Sequence, residues 1–190
     1  MNKILAINGS PRHEGNTAHM LRTLLDICDG AGHATELIHI GGRPVRGCIA
    51  CSACRKVHRG RCAIDDWVNE LYPKMAEADV ILLGSPVYFS DLTPELKAVI
   101  DRTGYVARSD GFRFSRKIGA AVVSVRRCGG IHTLDSINHF FQINDMILPG
   151  STYWNMSLSR DVGDYENDAE GIKTMQRLGE NIVWLLEKLS

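Results

Sequence analysis

The sequence predicts an α/β fold built on one parallel sheet with helices on both faces. Three observations predict it. Five short, nearly continuous apolar runs alternate with longer segments whose apolar residues recur at helical spacing, the pattern of buried parallel strands joined by crossover helices. The loops that follow the apolar runs carry the glycines and hydrogen-bonding side chains, so the chemistry gathers where the C-terminal ends of parallel strands meet. No repeat, low-complexity tract or Pro/Ser-rich linker divides the 190 residues, which read as one domain over 1–190 with a cysteine-rich loop at 44–64.

The elements follow in order. Residues 3–7 form a buried strand ending at Asn8-Gly9. Residues 16–29 form a helix with Met20, Leu21, Leu24, Leu25 and Cys28 on one face and Asn16 or Thr17 available as its cap, stopped by Gly30 and Gly32. Residues 35–40 are a second strand. Residues 66–78 are a helix capped by Asp65, and 79–83 (DVILL) are a third strand. Pro94 opens the next helix, and 118–125 is a fourth strand. Ile131, Leu134, Ile137, Phe140 and Phe141 form a helical face, 146–148 is expected to be the short fifth strand, and 172–189 is a closing amphipathic helix.

Composition narrows the function. The 22 Lys plus Arg balance 22 Asp plus Glu, which removes the electrostatic drive toward nucleic acid or a membrane surface. A chain of this size buries roughly 70% of its unfolded surface, so any metal would serve function rather than hold the core together. No signal peptide or membrane span is legible, and a cytoplasmic location, where thiols stay reduced, is expected. Six cysteines then call for a reading other than disulfides.

The first chemical loop is Asn8-Gly9-Ser10-Pro11-Arg12-His13-Glu14-Gly15-Asn16-Thr17. Its glycines permit a tight turn, Ser10, Asn16 and Thr17 supply neutral donors, and Arg12 supplies a fixed cation. At a helix N-terminus this set suits a phosphate dianion. It is not a Walker A loop: the glycines stand one residue wider than in G-x-x-x-x-G-K, and no Lys follows Gly15. Nor is it G-x-G-x-x-G. The plainer alternative is an Asx turn leading into a helix cap.

The second loop, Gly84-Ser85-Pro86-Val87-Tyr88-Phe89-Ser90, offers apolar and aromatic groups to the face of a planar ligand and backbone amides to its edge. Tyr88 and Phe89 could equally do no more than cover the sheet edge. A third loop, Ser124-Val125-Arg126-Arg127-Cys128-Gly129-Gly130, couples glycines to cations, although the Arg pair could be solvated surface and Cys128 a thiol without a task.

These motifs resemble the flavodoxin-like superfamily, in its NADPH-dependent FMN reductase branch. The marks are G-S-P-R-x-x-G-N-T at 9–17 and G-S-P-V-Y-F at 84–89. The resemblance implies strand order 2-1-3-4-5, with the FMN phosphate held by Ser10, Arg12, Gly15, Asn16 and Thr17. It also implies an isoalloxazine against Pro86, Val87, Tyr88 and Phe89, with Gly129 and Gly130 nearby.

Residues 48–62 read C-x2-C-x2-C-x7-C. Zinc sites usually pair two Cys-x2-Cys knuckles, whereas three cysteines at steps of three plus a distant fourth suit a 4Fe-4S cluster. The run is a variant of the bacterial ferredoxin motif and resembles the compact motif of the iron-sulfur flavoproteins, which implies Cys48, Cys51, Cys54 and Cys62 as iron ligands. An empty or oxidised loop and a zinc site are the competing readings. Arg55, Lys56, His58, Arg59 and Arg61 would offset the negative charge of a thiolate-ligated cluster, or dock an acidic partner such as ferredoxin, or simply be solvated.

Other candidates have plainer readings. Asp65-Asp66 is a capping pair, and His132 and His139 are exposed on one helix. No Ser-His-Asp set can be argued, and no residue is assigned as acid or base. Trp67, Trp154 and Trp184 are expected in the core or at a subunit interface, and the acidic residues from Asp161 to Glu170 solubilise the approach to the last helix. The expected activity is electron transfer between a 4Fe-4S cluster, FMN and a small acceptor, with NAD(P)H or ferredoxin as donor, in a homodimer or homotetramer. The alternatives are a cluster-free NAD(P)H-dependent FMN or quinone reductase, and a redox sensor or electron-carrier module.

Overall fold

In the computed structural model, which describes residues 1–57 and 60–189, a parallel sheet of order β2-β1-β3-β4-β5 organises the chain. The elements are β1 (Lys3–Asn8), α1 (Asn16–Gly30), β2 (Ala34–His39), α2 (Ala53–Lys56), α3 (Val68–Glu77) and β3 (Val80–Pro86). They continue with α4 (Pro94–Ser109), β4 (Ile118–Val125), α5 (Gly130–Ile143), β5 (Met156–Leu158) and α6 (Ala169–Leu189). Successive strand residues point to opposite faces. Ile4, Ala6, Val80, Leu82, Ala120 and Val122 pack with Met20, Leu21 and Leu24 of α1 and Leu178 and Ile182 of α6. Leu5, Ile7, Ile81, Leu83, Ala121 and Val123 pack with Met75 of α3, Val99 of α4 and Ile137 and Phe141 of α5. Both faces being covered explains why the strands read as unbroken apolar runs.

The sheet differs from the expected one at its edge. The apolar run 146–148 contributes only a single bridge, Ile118 to Ile147, with Gly119 N–H donating to Ile147 O at 2.9 Å. Pro149 has no N–H to continue a ladder, and the true β5 lies ten residues later, pairing Met156, Ser157 and Leu158 with Val123, Ser124 and Val125. The helix caps differ too. Gly15, not Asn16 or Thr17, is the N-cap of α1, and no side chain caps it. Asp65 is exposed and pairs with Arg61 at 2.6 Å, while Asp66 Oδ1 accepts the Val68 N–H at 3.1 Å.

Trp67 is partly buried against the core, but Trp154 and Trp184 are about half exposed. The acidic stretch does more than solubilise. Asp164 Oδ2 accepts the Arg160 and Asp161 N–H groups at 2.9 and 2.7 Å, and those bonds hold its carboxyl below the usual carboxylate range. Asp168 accepts from Ser157 Oγ, Leu158 N and Gly171 N. His58 and Arg59 of the expected basic strip lie outside the described residues. Among the described residues no helix is long and apolar enough to cross a membrane.

Candidate functional site

The loop after β1 is folded by its own short polar side chains. Asn8 Oδ1 accepts the Ser10 N–H at 3.0 Å, Ser10 Oγ accepts the Arg12 N–H at 3.1 Å, and the Gly15 N–H returns to Arg12 O at 3.2 Å. Neighbouring segments clamp the result. Gly9 N–H donates to Gly84 O at 2.8 Å, and Thr93 Oγ1 donates to Gly9 O at 2.9 Å. From the other side Gly41, just past β2, lies so close that a Cβ there would stand 1.9 Å from Ser10 O. The loop thus delivers an uncapped helix terminus, whose first amides lack intrahelical acceptors.

That terminus opens on a cavity of about 380 Å³. Ser10, Arg12, Gly15, Asn16 and Thr17 form one wall, Pro86, Val87 and Tyr88 a second, and Ser124 and Arg126 a third. Ser159, Arg160 and Asp161 complete it. Arg12, Arg126 and Arg160 face a single carboxylate, Asp161, so the lining favours an anion, and the helix terminus adds to that preference. Four loops at the C-terminal edge of the sheet therefore build one concavity with a phosphate-sized polar end beside a partly apolar wall, an arrangement that fits a flavin mononucleotide.

Several expected residues take different places. Asn16 turns its amide to the far wall: Nδ2 donates to Asp161 O at 2.8 Å, and Oδ1 accepts the Gly163 and Tyr165 N–H groups at 3.1 and 3.3 Å. It holds two ends of the cavity together across a long sequence gap. Phe89 is fully exposed and stands outside the cavity lining. With Ser90 it occupies the left-handed region (φ 48° and 65°), making a tight turn closed by Tyr88 N–H to Asp91 O at 2.8 Å. Two non-glycine residues in that conformation cost of order 1 kcal/mol or more each, a strain commonly stored at functional sites. Gly129 and Gly130 also stand outside the lining. A Cβ on Gly129 would lie 2.9 Å from Ser90 Cα, so this glycine supports the strained turn.

Sequence reasoning missed Ser159, Arg160 and Asp161 as cavity residues. A signal existed. Once β5 is placed at 156–158, these three are the residues immediately beyond its C-terminal end, and the rule that selected the other loops selects them too.

The four loop cysteines line a second, smaller concavity, with Ile49, Ile64, Val106 and Arg102 among its other residues. Cys48 and Cys51 are exposed, Cys54 and Cys62 half-buried. Asn69 fixes the far end of the loop: its Oδ1 accepts the Cys62 N–H at 2.9 Å and its Nδ2 donates to Cys62 O and Ile64 O. Trp67 fixes the near end by donating Nε1–H to Pro44 O at 2.8 Å, with Arg43 stacked over its ring. Ala50 and Ser52 adopt left-handed φ values of 52° and 58° between the ligand candidates. Among the described residues no three Cys, His, Asp or Glu side chains stand at metal-binding separation. Iron ligation would therefore require the thiols to draw closer together. The remaining cysteines differ: Cys28 is buried in α1, its thiol pushed up to about 11 by desolvation, whereas Cys128 is exposed just past β4.

The comparisons agree with this geometry. The family model described as NADPH-dependent FMN reductase matches residues 2–161, ending on the last cavity-lining residue. An iron-sulfur flavoprotein of Methanocaldococcus jannaschii is 37% identical, with 95% of each chain covered. One of Methanosarcina thermophila is 33% identical over 97% of this chain and 95% of its own. Among solved structures, the flavoenzyme NAD(P)H:(acceptor) oxidoreductase of Paracoccus denitrificans superposes with a TM-score of 0.72 at 16% identity, covering 99% of this chain and 98% of its own. A flavodoxin from the Archaea superposes at 0.64 and 16% identity over 98% and 99%. The chain belongs to the NADPH-dependent FMN reductase family, as an FMN-dependent oxidoreductase grouped with the iron-sulfur flavoproteins.

Proposed function

We propose that the protein passes electrons between a 4Fe-4S cluster on Cys48, Cys51, Cys54 and Cys62, FMN in the cavity at the sheet edge, and a small oxidant. The observation that carries this reading is that all four cysteines line a single concavity on the same chain as the flavin-sized one. FMN would supply the conversion between two-electron hydride exchange and the one-electron steps that a cluster requires. The chain's own residues bind and orient. Arg12, with the α1 terminus and the Ser10 loop, would hold the phosphate. Pro86, Val87 and Tyr88 would lie against the ring. Asn16 would keep the 159–161 wall in place. No side chain is assigned as an acid or base.

Reduced ferredoxin at the cluster or NAD(P)H at the flavin would be the electron source, and the relatives' names support the cluster route. Arg55 and Lys56 at the end of α2 offer positive charge to an acidic donor, while Arg61 is already paired with Asp65. Assembly as a homodimer or homotetramer belongs to the same reading. The spacing of the thiols, no three of which are grouped closely enough to hold a metal among the described residues, favours a second reading, a cluster-free NAD(P)H-dependent reductase.

The experiment is anaerobic purification followed by FMN, iron and acid-labile sulfide determination. The expected result is one FMN with about four irons and four sulfides per chain. Flavin without iron or sulfide selects the cluster-free reductase.

A further inference from the structure

Arg102 of α4 is the largest fully buried side chain among the described residues, and it lies in the wall of the cysteine concavity. Its guanidinium grips Asp66 in a two-pronged pair, Nη1 to Oδ2 at 2.6 Å and Nη2 to Oδ1 at 2.7 Å. The same nitrogens reach both ends of the cysteine loop. Nη1 donates to Arg46 O at 3.3 Å, two residues before Cys48, and Nη2 donates to Ile64 O at 3.1 Å, two residues after Cys62. One N–H is left over. Arg102 Nε is the single buried side-chain nitrogen or oxygen without a hydrogen-bond partner among the described residues.

An unsatisfied buried N–H on a cation is costly unless something accepts it. The side-chain acceptors lining the concavity are the four cysteine sulfurs and the hydroxyls of Ser52 and Tyr105. Burial works against the Arg102 charge, and the two bonds that its guanidinium donates to Asp66 offset that cost. A structural staple alone would account for the bonds to Asp66, Arg46 and Ile64. It does not account for a spare buried donor on an arginine that shares its concavity with four thiols.

Resting on the cluster reading above, we infer that Arg102 is a positioning residue for the iron-sulfur centre, closing the cysteine loop and presenting Nε–H to sulfur on the Cys62 side. A fixed cation and an N–H···S bond both favour the more negative, reduced state of a cluster, so Arg102 raises its reduction potential.

The test is redox titration of the anaerobically purified holoprotein, with the cluster followed by EPR and FMN by absorbance. Arg102→Gln should lower the reduced-to-oxidised ratio of the cluster at fixed potential about tenfold or more, about 59 mV for a one-electron couple. The double variant Arg102→Met with Asp66→Asn, which removes both charges, should fall between it and wild type, with FMN content and potential unchanged in both. Full iron and sulfide content at an unshifted cluster potential overturns the inference. Should both variants lose iron, Arg102→Lys decides: it keeps the charge but cannot make the same set of bonds, so a retained cluster at the wild-type potential overturns the inference and a lowered potential supports it. Failure of the underlying reading is separately visible, as wild-type protein that contains FMN without iron and sulfide.

Discussion

Gly41→Ala tests how the loop proposed to hold the phosphate is itself held. A Cβ at this position would stand 1.9 Å from Ser10 O, 2.2 Å from Ser10 C and 2.6 Å from Pro11 N, and real Cβ atoms stay outside 3.0 Å. The Ser10-Pro11 peptide must therefore retreat by about 1.1 Å, the difference between 3.0 and 1.9 Å. Gly41 does not occupy the left-handed region, so alanine meets no backbone strain and the effect is steric alone. A retreat of that size breaks a hydrogen bond of normal length. Each hydrogen bond to a charged group contributes about 1.5–3 kcal/mol, so losing one raises the FMN dissociation constant about 10- to 150-fold. The assay is fluorescence titration of FMN into apoprotein, with thermal unfolding in parallel. Gly30→Ala, where nothing lies within 4 Å, is the control and should bind FMN like wild type. A Gly41→Ala protein with wild-type melting and an FMN dissociation constant within about threefold of wild type would refute the assignment of this loop to the phosphate.

Three further outcomes are expected. Asn16→Ala removes the three bonds to Asp161 O, Gly163 N and Tyr165 N, so FMN affinity falls and amide exchange at Gly163 and Tyr165 accelerates; unchanged exchange there shows that Asn16 does not hold the wall. Asp66→Asn strands the Arg102 charge, whose side chain is 0% exposed, and costs about 3–5 kcal/mol in urea unfolding at neutral pH. Burial opposes the Asp66 charge, but the Arg102 bond more than offsets it and leaves the folded carboxyl more acidic than the unfolded one. Its contribution is thus complete above the ordinary carboxylate range and disappears as pH falls through the folded-state value below 3.8. Wild type and variant should converge in strong acid, and a gap that persists there rejects the ion pair as its source. Alkylation near pH 8 should label Cys128 in the native protein but reach Cys28 only after unfolding, and peptide mapping that finds native Cys28 modified contradicts its burial.

The parts of the fold that were legible from residues share one property: their apolar pattern was decided locally. β1, β3 and β4 are buried on both faces, so composition alone marks them. β5 is a three-residue edge strand, Met-Ser-Leu, whose pairing is selected by contact with β4 rather than by its own hydrophobicity, while the more apolar 146–148 is cut short by Pro149. That one misplacement hid Ser159, Arg160 and Asp161. The phosphate-loop motif was visible, but the direction of the Asn16 amide was not, because its partners lie on a segment that sequence separation conceals. Arg102 was invisible for a related reason. It sits on an amphipathic helix like any surface arginine, and only the approach of Asp66, Arg46 and Ile64 reveals it as a buried hub.

The Asn16 clamp also sets an order of events in biosynthesis. The loop ending at Thr17 emerges from the ribosome early, yet one wall of its cavity is made of residues 159–161 and its Asn16 acceptors and donors extend to Tyr165. A nascent chain stopped before that point has the 86–88 and 124–126 walls but lacks the 159–161 wall and the partners of Asn16. The cavity is therefore complete only once the chain has been made through Tyr165, late in synthesis.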